Sequence, residues 1–195
     1  IEKQVPISTN TLFAIFSMSK TFTGAAVMCA IDEGLMSLDD RVSKYLPEYA
    51  EVRMQDGGRP KRELTLRDLL SHTDGLRWEY PLVDNDISVR KAAELYAAKG
   101  LKYQPGETFA YGTMRFSVAA ACLEVAVGER FEDYLKRKIL DPLEMKDTTF
   151  SPNAGQLARL VTAYTSDGKY DPDNSRNFLI NGKQCVTLDK KDDGH

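Results

Sequence analysis

The chain has 195 residues, enough to bury a sizeable core, and its 42% hydrophobic and 28% charged content is that of an ordinary globular protein. A net charge of -3, with basic residues dispersed among acidic ones, leaves no electrostatic footprint for nucleic acid. No apolar run approaches the length that spans a bilayer, and Cys29, Cys122, Cys185, His72 and His195 are too scattered for a metal motif, so neither metal nor cofactor is expected.

In chain order, Gln4-Val5-Pro6-Ile7 reads as strand-like. A helix then runs from about Ser17 to Glu33, stopped by Gly34 in the position that favours a left-handed residue. Leu35 to Tyr49 reads as a loop and a short helix ended near Pro47, with Leu38, Val42 and Leu46 on one face. Arg53 to Arg62 is a polar connection whose Arg59-Pro60-Lys61-Arg62 run reads as solvated. Thr65 and Asp68 have the spacing of a capping box for a helix from Leu66 to His72, ending at Gly75. His72 there reads as a helix-end residue that hydrogen-bonds locally. Asp86 to Lys99 is a charged, solvent-exposed helix capped by Ser88 and ended by Gly100. Tyr103 to Glu107 is a turn. A strongly apolar helix from about Met114 to Val127 ends at Gly128, and another from about Phe131 to Leu140 is stopped by Pro142. From Ser151 onward the pattern loosens, with one short strand around Leu160 to Tyr164. The chain begins at Ile1 without a methionine and closes on the charged segment Asp189 to His195. The expectation is therefore one domain, 1–195, truncated at both ends, with its compartment left open.

Ser17-Met18-Ser19-Lys20 is the segment with chemistry in it. Residues three apart share a helix face, so Lys20 reaches the Ser17 hydroxyl. A serine attacks a carbonyl only when a neighbouring base takes its proton, and a lysine serves when its surroundings favour the neutral amine. The four-residue pattern recurs at Ser88-Val89-Arg90-Lys91 and Ser166-Asp167-Gly168-Lys169. Only the first leads into a long apolar segment, Thr21 to Ile31, that would hold a nucleophile rigidly at the positive end of a helix dipole. On local sequence alone, Ser17 reads equally well as an ordinary N-cap serine.

Several ordered motifs then resemble the serine β-lactamase and penicillin-binding-protein superfamily, and within it the class C β-lactamase and family VIII esterase branch. Ser17 to Gly24 resembles the nucleophile helix of that branch, and Gly34 to Val42 the segment that follows it. Leu69-Leu70-Ser71-His72-Thr73-Asp74-Gly75-Leu76 resembles its LLSHTSGL stretch. Pro105-Gly106 through Phe109-Ala110-Tyr111 resembles the approach to its second catalytic motif, and Pro142 to Thr148 its PLGMKDT stretch. Five ordered matches over about three-quarters of the chain are far more specific than any one of them.

The resemblance implies an α+β (α/β) fold of the β-lactamase/transpeptidase type, a helical region plus an antiparallel sheet, with this chain mostly helical and the sheet largely missing. It implies that Ser17 forms an acyl-enzyme, that Lys20 accepts or relays its proton, and that Tyr111 exchanges a proton with the leaving group. Its implied partner is a small-molecule acyl substrate, with a complementary C-terminal segment as a second. Thr113, Trp78 and Tyr80 are the candidate substrate-binding residues; core packing accounts equally well for Trp78, Tyr80 and Leu82.

Two departures qualify the resemblance. The family's Tyr-x-Asn is Tyr111-Gly112-Thr113 here, which loses the asparagine that orients a β-lactam amide and tilts the expectation toward ester chemistry. Its third motif, a Lys-Thr-Gly, His-x-Gly or Trp-Gly-Gly on a sheet strand, has no match after Tyr111. That strand supplies one oxyanion-hole N–H in the family, and losing such a donor costs on the order of two to three decades in rate. The expectation is thus a serine hydrolase acting on a small ester, a β-lactam or a D-amino-acid amide or peptide. The alternatives are a non-catalytic binding or scaffold domain, or a fragment active only when the missing sheet completes it.

Overall fold

The computed structural model describes residues 6–76, 88–161, 167 and 169, together with the backbone of 177–180 and 183–187. Its centre is α4 (Met114–Val127), in which Val118, Ala119, Ala120, Ala121, Cys122 and Leu123 are all buried. A run of alanines on a helix lets neighbouring helices approach closely. Against α4 pack α1 (Ser19–Asp32), α2 (Leu66–Leu70), α3 (Val89–Lys99) and α5 (Phe131–Leu135). Leu66, Leu69, Leu123 and Leu135 are fully buried within this core, each contributing roughly 1.5–3 kcal/mol relative to exposure.

The helix ends follow their local chemistry. At the end of α1, Gly34 takes φ +74°, and the Leu35 N–H bonds to the Ala30 carbonyl, so the last turn closes on itself. The Gly128 N–H likewise bonds to the Glu124 carbonyl at the end of α4, while the Glu124 carboxylate accepts from the Phe131 N–H and joins α4 to α5. Thr65 and Asp68 form the expected capping box on α2, and Ser88 caps α3 by accepting from the Lys91 N–H at 3.1 Å. Gly75, at φ +78°, could not be any larger residue: a Cβ there would lie 2.0 Å from the Tyr103 carbonyl oxygen. Its own carbonyl accepts from the Lys102 and Tyr103 N–H groups.

Several expectations are corrected. Pro47 begins the second of two 3-10 turns, Val42–Lys44 and Pro47–Glu51, where its missing N–H is harmless, rather than ending a helix. The α3 helix is not solvent-exposed throughout, because Val89, Ala92, Ala93 and Tyr96 form a buried stripe between its charged residues. The expected helix from Phe131 to Leu140 is present with those bounds, and only its winding differs, the second half, Lys136–Leu140, forming a π-helical turn. Arg62 is not simply solvated, since its guanidinium forks onto the buried Asp68 carboxylate at 2.5 and 2.7 Å.

Beyond α6 (Ala154–Leu157), the expected strand start at Leu160 makes one parallel bridge with Leu12. There the Leu12 N–H bonds to the Arg159 carbonyl and the Val161 N–H to the Leu12 carbonyl. Residues 162–164 of that expectation, and Gln4 and Val5 of the strand-like start, lie outside the described residues. Among the described residues the only sheet is an unexpected antiparallel hairpin of β1 (Asn177–Ile180) and β2 (Lys183–Thr187), with Asn177 opposite Thr187 and Ile180 opposite Lys183. Among the described residues, helix thus predominates and there is little sheet, as the motif resemblance implies.

Candidate active site

Ser17 lies in a one-turn 3-10 helix, Phe16–Met18, that leads directly into α1. The residue before it, Phe16, adopts φ +43°, a conformation unfavourable for a bulky side chain and found where the surrounding structure holds a site in place. Ser17 is exposed and Lys20, one turn later, is half-buried. The Lys20 ammonium donates to Ser17 Oγ at 3.2 Å and to Thr113 Oγ1 at 3.4 Å. It also sits 4.8 Å from the centroid of the Tyr111 ring. Hydrogen bonds from Lys20 and then Ser17 hold the Tyr111 phenol below the usual tyrosine range. Ser17 from the turn leading into α1, and Tyr111 and Thr113 from the segment before α4, therefore converge on one amine.

Thr113 is the N-cap of α4, but its hydroxyl makes no capping bond and serves Lys20 instead. Between it and Tyr111, Gly112 is buried against Arg115: a Cβ there would lie 2.8 Å from Nη2 and 3.2 Å from Cζ. That guanidinium cannot move aside easily. Its Nη1 lies 2.8 Å from Asp74 Oδ2 and its Nη2 donates to the Leu76 carbonyl at 3.1 Å, with both side chains of the ion pair buried. The same Asp74 accepts from the Leu76 N–H at 2.7 Å.

His72 is the residue whose place the sequence does not reveal. Its backbone makes the expected local helix-end bond, N–H to the Leu69 carbonyl at 3.3 Å, but its imidazole reaches forty residues away, where the Gly112 N–H donates to Nδ1 at 3.3 Å. Its ring stacks on Tyr111, centroids 4.8 Å apart, with Phe109 and Phe116 on its other sides. Burial, then the Arg115 and Lys20 charges, pull its pKa down to about 4. The sequence signal was only the position of His72 inside the LLSHT stretch, which says nothing of what it touches.

Ser17, Lys20 and Thr113 open onto a cavity of about 740 Å³, lined also by Phe16, Met18, Phe22, Phe116 and Phe150. Its size is within the range of small-molecule sites. Trp78, Tyr80 and Leu82 lie outside the described residues. Among the described residues, no group of three or more His, Cys, Asp or Glu side chains is placed to hold a metal ion.

Residues 1–179 match the family model described as Beta-lactamase. The chain is 32% identical over 161 residues to the D-alanyl-D-alanine-carboxypeptidase/endopeptidase AmpH of Escherichia coli K12, covering 79% of this chain and 40% of that protein. It is 28% identical over 154 residues to Protein flp of Staphylococcus aureus MW2, covering 77% and 30% respectively. Among solved structures, it is similar to EstCE1, a hydrolase with promiscuous acyltransferase activity, with a TM-score of 0.77 at 27% identity, over 87% of this chain and 47% of that one. A β-lactamase/D-alanine carboxypeptidase from Yersinia pestis aligns with a TM-score of 0.74 at 25% identity, over 93% and 51%. The chain thus spans about half the length of these structures and less of the curated relatives. The fold is that of the β-lactamases and transpeptidases, and the model's match over nearly the whole length shows that this chain belongs to the β-lactamase family.

Proposed function

We propose that the protein is a serine hydrolase that works through a covalent acyl-enzyme on a small acyl substrate. The observation that carries this reading is the 3.2 Å contact between Lys20 Nζ and Ser17 Oγ, with the Tyr111 ring centroid 4.8 Å from the same nitrogen. A nucleophile within hydrogen-bond reach of its base, and a second proton carrier beside them, is the minimum that acyl transfer needs. Ser17 Oγ attacks the acyl carbonyl while its proton passes to the Lys20–Tyr111 pair. The tetrahedral adduct collapses, the leaving group departs with that proton, and water repeats the sequence in reverse to release the acid.

Esters are the favoured substrates, ahead of β-lactams and D-amino-acid amides or peptides. Thr113 supports this: its short hydroxyl engages Lys20 and does not extend to an amide as a longer carboxamide does. The relatives include both a D-alanyl-D-alanine carboxypeptidase and a hydrolase with acyltransferase activity, so the substrate arms of a test should span both chemistries. The test is intact-mass spectrometry after incubation with a fluorophosphonate, on the native protein and on Ser17→Ala. One added probe mass in the first and none in the second is expected. An unlabelled, folded native protein would instead favour a non-catalytic binding domain or a site that reacts only with a complementary segment carrying the third motif; the lack of a match to that motif after Tyr111 is what keeps this second reading. In a labelled protein, faster turnover of p-nitrophenyl butyrate than of nitrocefin is the outcome that fits ester chemistry.

A further inference from the structure

Tyr111 is half-exposed at the site, and nothing in its own helix holds it, because α4 begins only at Met114. What holds it is His72. The Ala110 N–H donates to the His72 carbonyl at 2.9 Å and the Gly112 N–H donates to His72 Nδ1 at 3.3 Å, so one residue clasps the backbone on both sides of Tyr111. Its ring lies against the phenol at 4.8 Å and 29°. To do this His72 adopts φ +61°, a conformation that a non-glycine residue keeps only when its surroundings impose it.

We infer that His72 is a positioning residue, whose Nδ1 acceptor and ring face together set the Tyr111 phenol beside Ser17 and Lys20. The imidazole does this as the neutral tautomer protonated at Nε2, since Nδ1 is an acceptor. The charged and titratable groups that bear on it are Lys20 from α1, Arg115 from α4 and Tyr111 itself. Both cations oppose a second proton on the ring, which keeps Nδ1 free to accept. His72 does not touch the reacting atoms; it acts through Tyr111 and Gly112. The inference rests on reading Tyr111 as the proton-transfer phenol, and its test reads the phenol directly so that the two can fail separately.

The experiment titrates Tyr111 by tyrosinate ultraviolet absorbance, as the difference between each protein and its Tyr111→Phe counterpart. His72→Phe keeps a flat ring but cannot accept from Gly112. His72→Asn keeps an acceptor close to the Nδ1 position and tolerates positive φ. In His72→Phe the Tyr111 pKa is expected to rise by about one pH unit, roughly tenfold less tyrosinate at a given pH, and in His72→Asn by less than about 0.3 unit. Should His72→Phe not fold, His72→Gln, which carries its acceptor too far out, reads the same point. An unchanged Tyr111 in the acceptor-deficient variant overturns the inference, as does an equal shift in His72→Asn. A purely structural role would lower the unfolding midpoint and leave the phenol of the folded protein where it was. Fluorophosphonate labelling of the same proteins reports on the reaction itself: an unlabelled native protein counts against the hydrolase reading alone, while the phenol titration still decides the role of His72.

Discussion

At Thr113 the hydroxyl that would ordinarily cap α4 faces Lys20, a choice that only the assembled site explains. Restoring a carboxamide with Thr113→Asn should raise the ratio of nitrocefin to p-nitrophenyl butyrate turnover, as kcat/KM, by about tenfold or more, since a hydrogen bond to a substrate amide discriminates strongly. An unchanged ratio would remove Thr113 from the specificity argument. His72 gives a second prediction at this scale. Its pKa is lowered from 6.5 to about 4 in the folded protein, so as the pH falls the unfolded chain takes up the proton first. Its contribution to stability is intact above about 6.5 and is lost progressively as the pH falls toward about 4. Asp74, whose carboxyl burial pushes up to about 6, titrates nearby with the opposite sign. Comparing the pH dependence of thermal unfolding in the native protein and in His72→Asn cancels it: the native midpoint should fall more steeply with acid.

At the scale of elements, the Asp74–Arg115 pair joins the turn after α2 to the first turn of α4 inside the core. Asp74→Asn keeps the shape and strands a buried guanidinium, so equilibrium denaturation should show a loss of about 3–5 kcal/mol; a loss of only a few tenths would mean that Leu76 and neighbouring dipoles suffice. Helix positions were legible in the sequence because their ends are written in local chemistry: Gly34, Thr65 with Asp68, Ser88, Gly100 and Gly128 each act within a few residues. Ser17, Lys20 and Tyr111 were legible as candidates through ordered motifs. What was not legible depends on partners distant in sequence. Charges at Arg90, Lys91 and Glu94 hid the buried stripe of α3, Arg62 found Asp68 only once α2 had formed, and His72 has meaning only against Gly112. The hairpin of β1 and β2 was missed because its short strands carried no clear alternation.

The molecule as a whole is organised around a helix that is apolar on nearly every side, and the turn that carries Ser17 sits at its periphery, not at its centre. That turn is fastened from far away. The Leu12 backbone bridges Leu160, and the Arg159 guanidinium bonds both the Asn10 carbonyl, 149 residues distant in sequence, and the Asp147 carboxylate. Contacts of such sequence separation form late, because a long loop must close before they return anything. During synthesis, which proceeds N-terminus first, the serine would therefore emerge before its strap and wait, unseated, until the 142 further residues from Ser17 to Arg159 had left the ribosome's exit. A chain stopped just before Asn153 should keep its helical circular dichroism yet react with fluorophosphonate far more slowly than the longer chain; equal rates would show that the turn needs no such strap. The bridge would then act as a clock on the nascent protein, keeping the proposed nucleophile out of service until the helical body that disciplines it already exists.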